Sequence, residues 1–206
     1  MPTQQFPVER NGPKRIEVSW SGLWKDFTVK LDGQPLGSWT KDELSQGKEV
    51  PMPDGATFKA HLRRVGMNQE LALLRNGRAL PGSAADPVTL VKTAGGIIYF
   101  LGGLNTLGGV VGLSGVEFAA RLFGTWDGVV VGAILGVLGF FTMQRSRIAL
   151  GIAMALYALN GVMVIAETAA ANGTPAIGGI FMRVIFLTAM WRGFKAMGEL
   201  NTQPSA

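Results

Sequence analysis

The chain has 206 residues, 48% of them hydrophobic and only 16% charged, against about 25% charged residues in an ordinary soluble domain. It contains no cysteine, which excludes disulfides, thiolate-ligated metals and cysteine nucleophiles. The net charge of +5 is split between the two halves, so it forms no basic stripe of the kind that reads nucleic acid. The expected counterpart of the basic residues is anionic lipid.

The average hides a division. Residues 1–87 hold 12 of the 19 Lys and Arg and 10 of the 14 Asp and Glu. A polar N-terminal domain therefore precedes an apolar block. The first thirty residues lack the apolar core of a signal peptide, which leads us to expect a cytoplasmic N-terminal domain.

Residues 1–13 are polar and punctuated by proline, and are expected to be a flexible leader. From residue 14 to 81 the pattern has period two. Ile16, Val18 and Trp20 share one strand face, as do Phe27, Val29 and Leu31, and Phe58, Ala60 and Leu62,. Asp32-Gly33, Asp54-Gly55 and Asn76-Gly77 are dipeptides suited to the positive φ of tight turns. A small antiparallel β-sandwich or barrel follows, with a helical turn near Lys41–Leu44. Trp20, Trp24 and Trp39 are expected to fill its core. The single histidine, His61, falls on the outward face, without the neighbouring carboxylates that a metal site or general-base pair needs.

Gly82 to Pro87 read as a hinge, in which Asp86 caps the first apolar helix and Pro87 opens it. The block from 88 to 197 has room for four crossings of a hydrocarbon layer roughly 30 Å thick, each needing about 20 apolar residues. We place them at about 93–116, 124–144, 148–170 and 175–195, followed by a disordered tail at 198–206. Ser114 and Glu117 have capping-box spacing, marking a short amphipathic turn between the first two crossings. Asn172-Gly173 and Thr174-Pro175 end the third and start the fourth. The expected fold class is thus a four-helix transmembrane bundle preceded by an all-β domain.

Arg63, Arg64, Arg75, Arg78, Lys92, Arg145 and Arg147 are candidates for headgroup contact, worth about 1 kcal/mol per basic residue near an anionic surface. With Arg192 and Lys195 they lie on the side that also carries both termini, and Glu117, Arg121, Asp127 and Glu167 lie on the other. The positive-inside rule then makes both termini cytoplasmic, in a plasma or bacterial inner membrane. Trp126 and Trp191 fall near opposite interfaces.

Gly124, Gly128, Gly132 and Gly136 are spaced by four, and Gly95, Gly102 and Gly109 by seven, which gives two helices smooth ridges for close packing within the chain or against another membrane protein. Five polar residues lie within the block: Asn105, Asp127, Asn160, Glu167 and Arg183. Arg183 stands near mid-depth, where an arginine costs about 2.5 to 3.5 kcal/mol on translocon scales, and Gly179 is expected to clear space beside it.

No nucleotide-binding glycine loop, His-Glu-x-x-His or intramembrane Ser-His pair is present. The expectation is a non-enzymatic subunit, scaffold or regulator without cofactor or metal, whose partners are the bilayer and either itself or another membrane protein. The alternative is a small oligomeric channel or transporter using Arg183, Glu167 and Asp127.

Overall fold

A computed structural model describes residues 1–22, 24–65, 68–170 and 177–202. The chain divides into two units, Met1–Thr89 and Leu90–Ala206.

The first unit contains two four-stranded antiparallel sheets. One is built from β1 (Thr3–Pro7), β2 (Lys14–Ser21), β3 (Lys25–Leu31) and β4 (Gln34–Trp39), in that spatial order. A short helix, α1 (Lys41–Gln46), leads to the second sheet of β5 (Glu49–Pro51), β6 (Thr57–Val65), β7 (Asn68–Arg75) and β8 (Arg78–Ala79), again in sequence order. Every neighbouring pair is a hairpin, so the turns set the register. At the β3–β4 turn both Asp32 and Gly33 have positive φ, 51° and 81°, and at the β7–β8 turn Asn76 and Gly77 have 49° and 76°, the backbone that tight hairpins require.

The alternation places Ile16, Val18, Phe27, Val29, Phe58, Ala60 and Leu73 in one core to which both sheets contribute. Each large side chain fully removed from water there contributes about 1.5–3 kcal/mol. Trp39 packs edge-on to Phe27, 5.7 Å between centroids, and is buried. Trp20 and Trp24 instead stack on each other at 5.1 Å at the half-buried rim. α1 starts with a complete capping box between Thr40 and Glu43 and stops at Gly47, φ 76°.

Two boundaries differ from expectation. Residues 3–7 do not remain a loose leader: they form β1, because Phe6 pairs with Ile16 and is buried in the shared core. The segment read as a hinge is a pinned turn with buried Ser83 and Asp86, because the Asp86 carboxylate gathers the donors around it.

The second unit contains α2 (Pro87–Leu113, beginning in the first unit), α3 (Glu117–Phe123), α4 (Trp126–Met143), α5 (Arg147–Ala170) and α6 (Ile177–Thr202). α2, α4 and α5 are long and apolar enough to cross a membrane, and only 33%, 28% and 22% of their most apolar stretches is buried. Helices that are apolar around most of their circumference yet uncovered by protein suit a hydrocarbon solvent. α6 is as long but carries Arg183, Arg192, Lys195 and Glu199, so it is less apolar than the other three. Val91, Ala94, Ile98 and Leu101 of α2, Leu135 of α4, Leu150 and Ala153 of α5, and Met190, Ala196 and Met197 of α6 form one buried cluster.

Three local corrections follow. The Ser114–Glu117 capping box is absent: Ser114 Oγ donates to Val111 O at 2.7 Å, and the residue before α3, Val116, has no side chain able to cap. α6 continues to Thr202, through part of the expected tail. Gly124 lies outside α4: it ends α3 with φ 75°, a conformation that Gly adopts without the Cβ penalty. The expected Asn172-Gly173 break and Thr174-Pro175 cap fall outside the described residues.

Candidate functional site

The polar residues of the helical unit resolve into three separate arrangements. The first joins α5 and α6. Tyr157, Asn160 and Gly161 are three and four residues apart and share a face of α5. Arg183 of α6 lies against that face: its Nη2 donates to Asn160 Oδ1 at 3.0 Å and its Nη1 to the carbonyl of Tyr157 at 3.3 Å. The guanidinium carbon is 5.2 Å from the Tyr157 ring centroid.

Space for this is provided by Gly161, where a Cβ would stand 3.1 Å from Arg183 Nη1. Gly179, expected to clear that space, has open surroundings, because Arg183 leans across to α5 and not back along its own helix. Counting along α5, Asn160 lies about halfway between Arg147 and Ala170, which puts the arginine near the middle of the helix. Around it Leu159, Val162, Phe181, Met182 and Val184 are exposed. Both acceptors are neutral, whereas a guanidinium carries five donors. The side chain of Glu167 lies outside the described residues.

The second arrangement is the α2–α4 crossing. A Cβ at Gly102 would stand 3.0 Å from Gly132 O and 3.1 Å from Gly136 N, and one at Gly109 would stand 2.6 Å from Thr125 O. On α4, Gly128 and Gly132 abut Asn105 O and Thr106 respectively, while Gly136 itself meets nothing within 4 Å of its missing Cβ. Gly95 accommodates Met143, whose sulfur would stand 3.0 Å from a Cβ added there. These ridges are therefore used within the chain, backbone against backbone. Asn105 donates to Leu101 O at 2.8 Å and Thr106 to Gly102 O at 3.0 Å, both on their own helix. Asp127 serves the start of α4 by accepting from the backbone N–H of Thr125 at 2.8 Å, and the absence of a side chain at Gly124 leaves room for its carboxylate.

The third is the end of the unit where α4 turns into α5. Arg145, with φ 66°, makes that turn. Ser146 Oγ accepts from Ala149 N–H at 3.3 Å, capping α5. Arg147 lays its guanidinium 4.3 Å over the centroid of Phe194 on α6. Phe194 is parallel to Trp191 within 9° at 5.6 Å, and Lys195 Nζ is 5.6 Å from the Trp191 centroid.

Of the basic residues expected near headgroups in the first unit, Arg63, Arg64 and Arg78 are exposed, whereas Arg75 is engaged with Asp54 at 2.7 Å. His61, expected on the outward face, is half-buried beside Gly47.

Sequence reasoning did not single out Tyr157, Gly161, Thr106 or the Arg147–Phe194–Trp191–Lys195 group. The first two were legible in principle, since Tyr157 precedes Asn160 by about one turn and Gly161 follows it directly. The last could not be read without knowing which faces of α5 and α6 meet.

The chain matches no known family model, no curated protein and no solved structure. Its function is argued from these arrangements alone.

Proposed function

We propose that this chain is a multi-pass integral membrane protein of a plasma or bacterial inner membrane, in which α2, α4, α5 and α6 form a four-crossing bundle. The β unit and the C-terminus lie on the cytoplasmic side. It acts as a non-enzymatic subunit, scaffold or regulator of a membrane complex.

The observation that carries this reading is the seat of Arg183. A guanidinium level with the middle of α5 on a lipid-facing helix pair is costly, and among the described residues its acceptors are Asn160 Oδ1 and the Tyr157 carbonyl, both neutral. A carboxylate on a neighbouring membrane chain would complete the arrangement, which makes the α5–α6 face an assembly point. The glycines of α2 and α4 abut each other's backbone, which supports closure of the chain on itself. Asp127, committed to the start of α4, gives no support to a conducting path through it.

The test is the composition of complexes extracted from native membranes in mild detergent, with Arg183→Leu and Glu167→Gln beside the natural chain. A stoichiometric membrane partner that is lost with Arg183→Leu and kept with Glu167→Gln supports the reading. A monomer for all three chains refutes it.

A further inference from the structure

The α4–α5 end of the helical unit concentrates cations: Lys92, Arg145, Arg147, Arg192 and Lys195 against Glu199. A charged end alone would be a diffuse attraction. Here the two central cations are fixed in place by aromatic faces. The Arg147 guanidinium carbon stands 4.3 Å over the Phe194 ring, and its Nη1 would stand only 3.7 Å from a Cβ at Gly198, so the guanidinium spans one turn of α6. Stacking on a ring uses the face of the guanidinium and leaves its in-plane N–H donors pointing sideways. Lys195 is held against Trp191 in the same way, and the parallel Trp191–Phe194 pair links the two cations into one unit.

Three further features fit a phosphate beside them. α5 is a 24-residue helix whose N-terminus, at Arg147 itself, presents the positive end of its dipole. Ser146 and Arg145 belong to the same turn. Ile148 and Trp191 on the rim are 76% and 48% exposed, which suits contact with the glycerol and acyl portion of a lipid and would add nothing for a free anion.

We propose that this end of the bundle is a defined binding site for the phosphate of an anionic phospholipid, with Arg147 and Lys195 as its pre-positioned cations and Trp191 and Ile148 as its contact with the acyl region. The site rests on the membrane reading above and is independent of the assembly role proposed for Arg183.

The experiment uses the full chain in nanodiscs of phosphatidylcholine with one-fifth phosphatidylglycerol, roughly that fraction, and counts by native mass spectrometry the lipids retained on release. Flotation with liposomes is checked first. The natural chain is expected to retain phosphatidylglycerol over its share of the mixture, and Arg147→Gln with Lys195→Gln to reduce that preference about thirtyfold, while Lys41→Gln on the exposed side of α1 leaves it unchanged. Arg147→Lys, which keeps the charge and loses the forked guanidinium donors, should fall between. Retention in proportion to the mixture by the natural chain, or a preference unaltered in the double variant, overturns the site. Displacement of the lipid by inorganic phosphate at millimolar concentration overturns its assignment to a lipid. Failure to float would bring down the membrane reading together with the site, whereas flotation without preference brings down the site alone.

Discussion

Arg183 Nη2 donates to Asn160 Oδ1 across 3.0 Å, and this bond ties the second turn of α6 to the middle of α5 where Gly161 lets the guanidinium in. Asn160→Ala should therefore lower the unfolding stability of the helical unit by about 1–2 kcal/mol, the range for interhelical hydrogen bonds in model membrane systems. Gly161→Leu should cost at least as much by closing the seat. Unfolding in mixed micelles followed by circular dichroism reads both, and unchanged midpoints for the pair would contradict the seat.

The α2–α4 crossing separates two glycines one turn apart. Gly132→Ala places a methyl against Gly102 O and Thr106 and should destabilise the unit by about 1–3 kcal/mol, as overpacking does. Gly136→Ala meets nothing and should be neutral or stabilising by up to about 1 kcal/mol through helix propensity. The same unfolding assay decides it: equal effects at the two positions would mean that the ridge does not pack as described.

Asp86 fixes the entry to α2. Its carboxylate accepts from Arg10 Nη2 at 2.9 Å, Gly82 N–H at 2.9 Å, Val88 N–H at 3.2 Å and Thr89 Oγ1 at 3.1 Å. Burial pushes its pKa up, but the hydrogen bonds from Gly82, Arg10 and Val88, with the charge of Arg10, outweigh that and hold it below the ordinary carboxylate value. A pKa lowered on folding stabilises at pH above the unfolded value and is lost as pH falls through the folded one. Stability should accordingly decline below about pH 4, with a smaller decline in Asp86→Asn. At neutral pH, Asp86→Asn should cost about 1–3 kcal/mol, and Arg10→Ala less because Arg10 is 47% exposed. Urea titrations at pH 7 and pH 3.5 check the sign, and a pH dependence identical in the variant would remove Asp86 as its source.

Asp127 is expected to act locally. Asp127→Ala should cost about 1 kcal/mol by removing the acceptor of the Thr125 N–H and the negative charge at the start of α4 and leave association with any partner unchanged. Loss of a partner with little change in stability would instead return Asp127 to a shared polar site with Arg183.

The strand pattern was legible because each hairpin of the β unit announces itself locally: Asp32-Gly33 and Asn76-Gly77 set turns, and alternation at Ile16, Phe27 and Phe58 sets the buried face. β1 was hidden because a polar strand such as Thr3–Pro7 has only Phe6 to mark its face, and its pairing with β2 is a tertiary fact. Helix positions followed from the absence of charge, and the capping of α2 by Asp86 followed from the Asp-Pro pair. Helix faces did not. A membrane helix is apolar all round, so periodicity carries little information about which side meets protein. Hence Arg183 could be placed in depth but not seen to use Gly161 in place of Gly179, and the α4 ridge could be read but not divided between packed Gly132 and open Gly136.

In the proposed topology four helices cross the membrane, α6 among them although it is less apolar than the rest. The chain has no cysteine, so single cysteines report sidedness without background. Introduced at Ser45, Ser114, Gln144 and Thr202 and labelled with an impermeant maleimide on sealed vesicles, they give a direct reading. Ser45→Cys, Gln144→Cys and Thr202→Cys should react from the cytoplasmic side and Ser114→Cys from the opposite side alone. Reaction of Thr202→Cys from the side of Ser114 would show that α6 does not cross, and reaction of Ser114→Cys and Gln144→Cys from the same side would contradict the membrane topology as a whole.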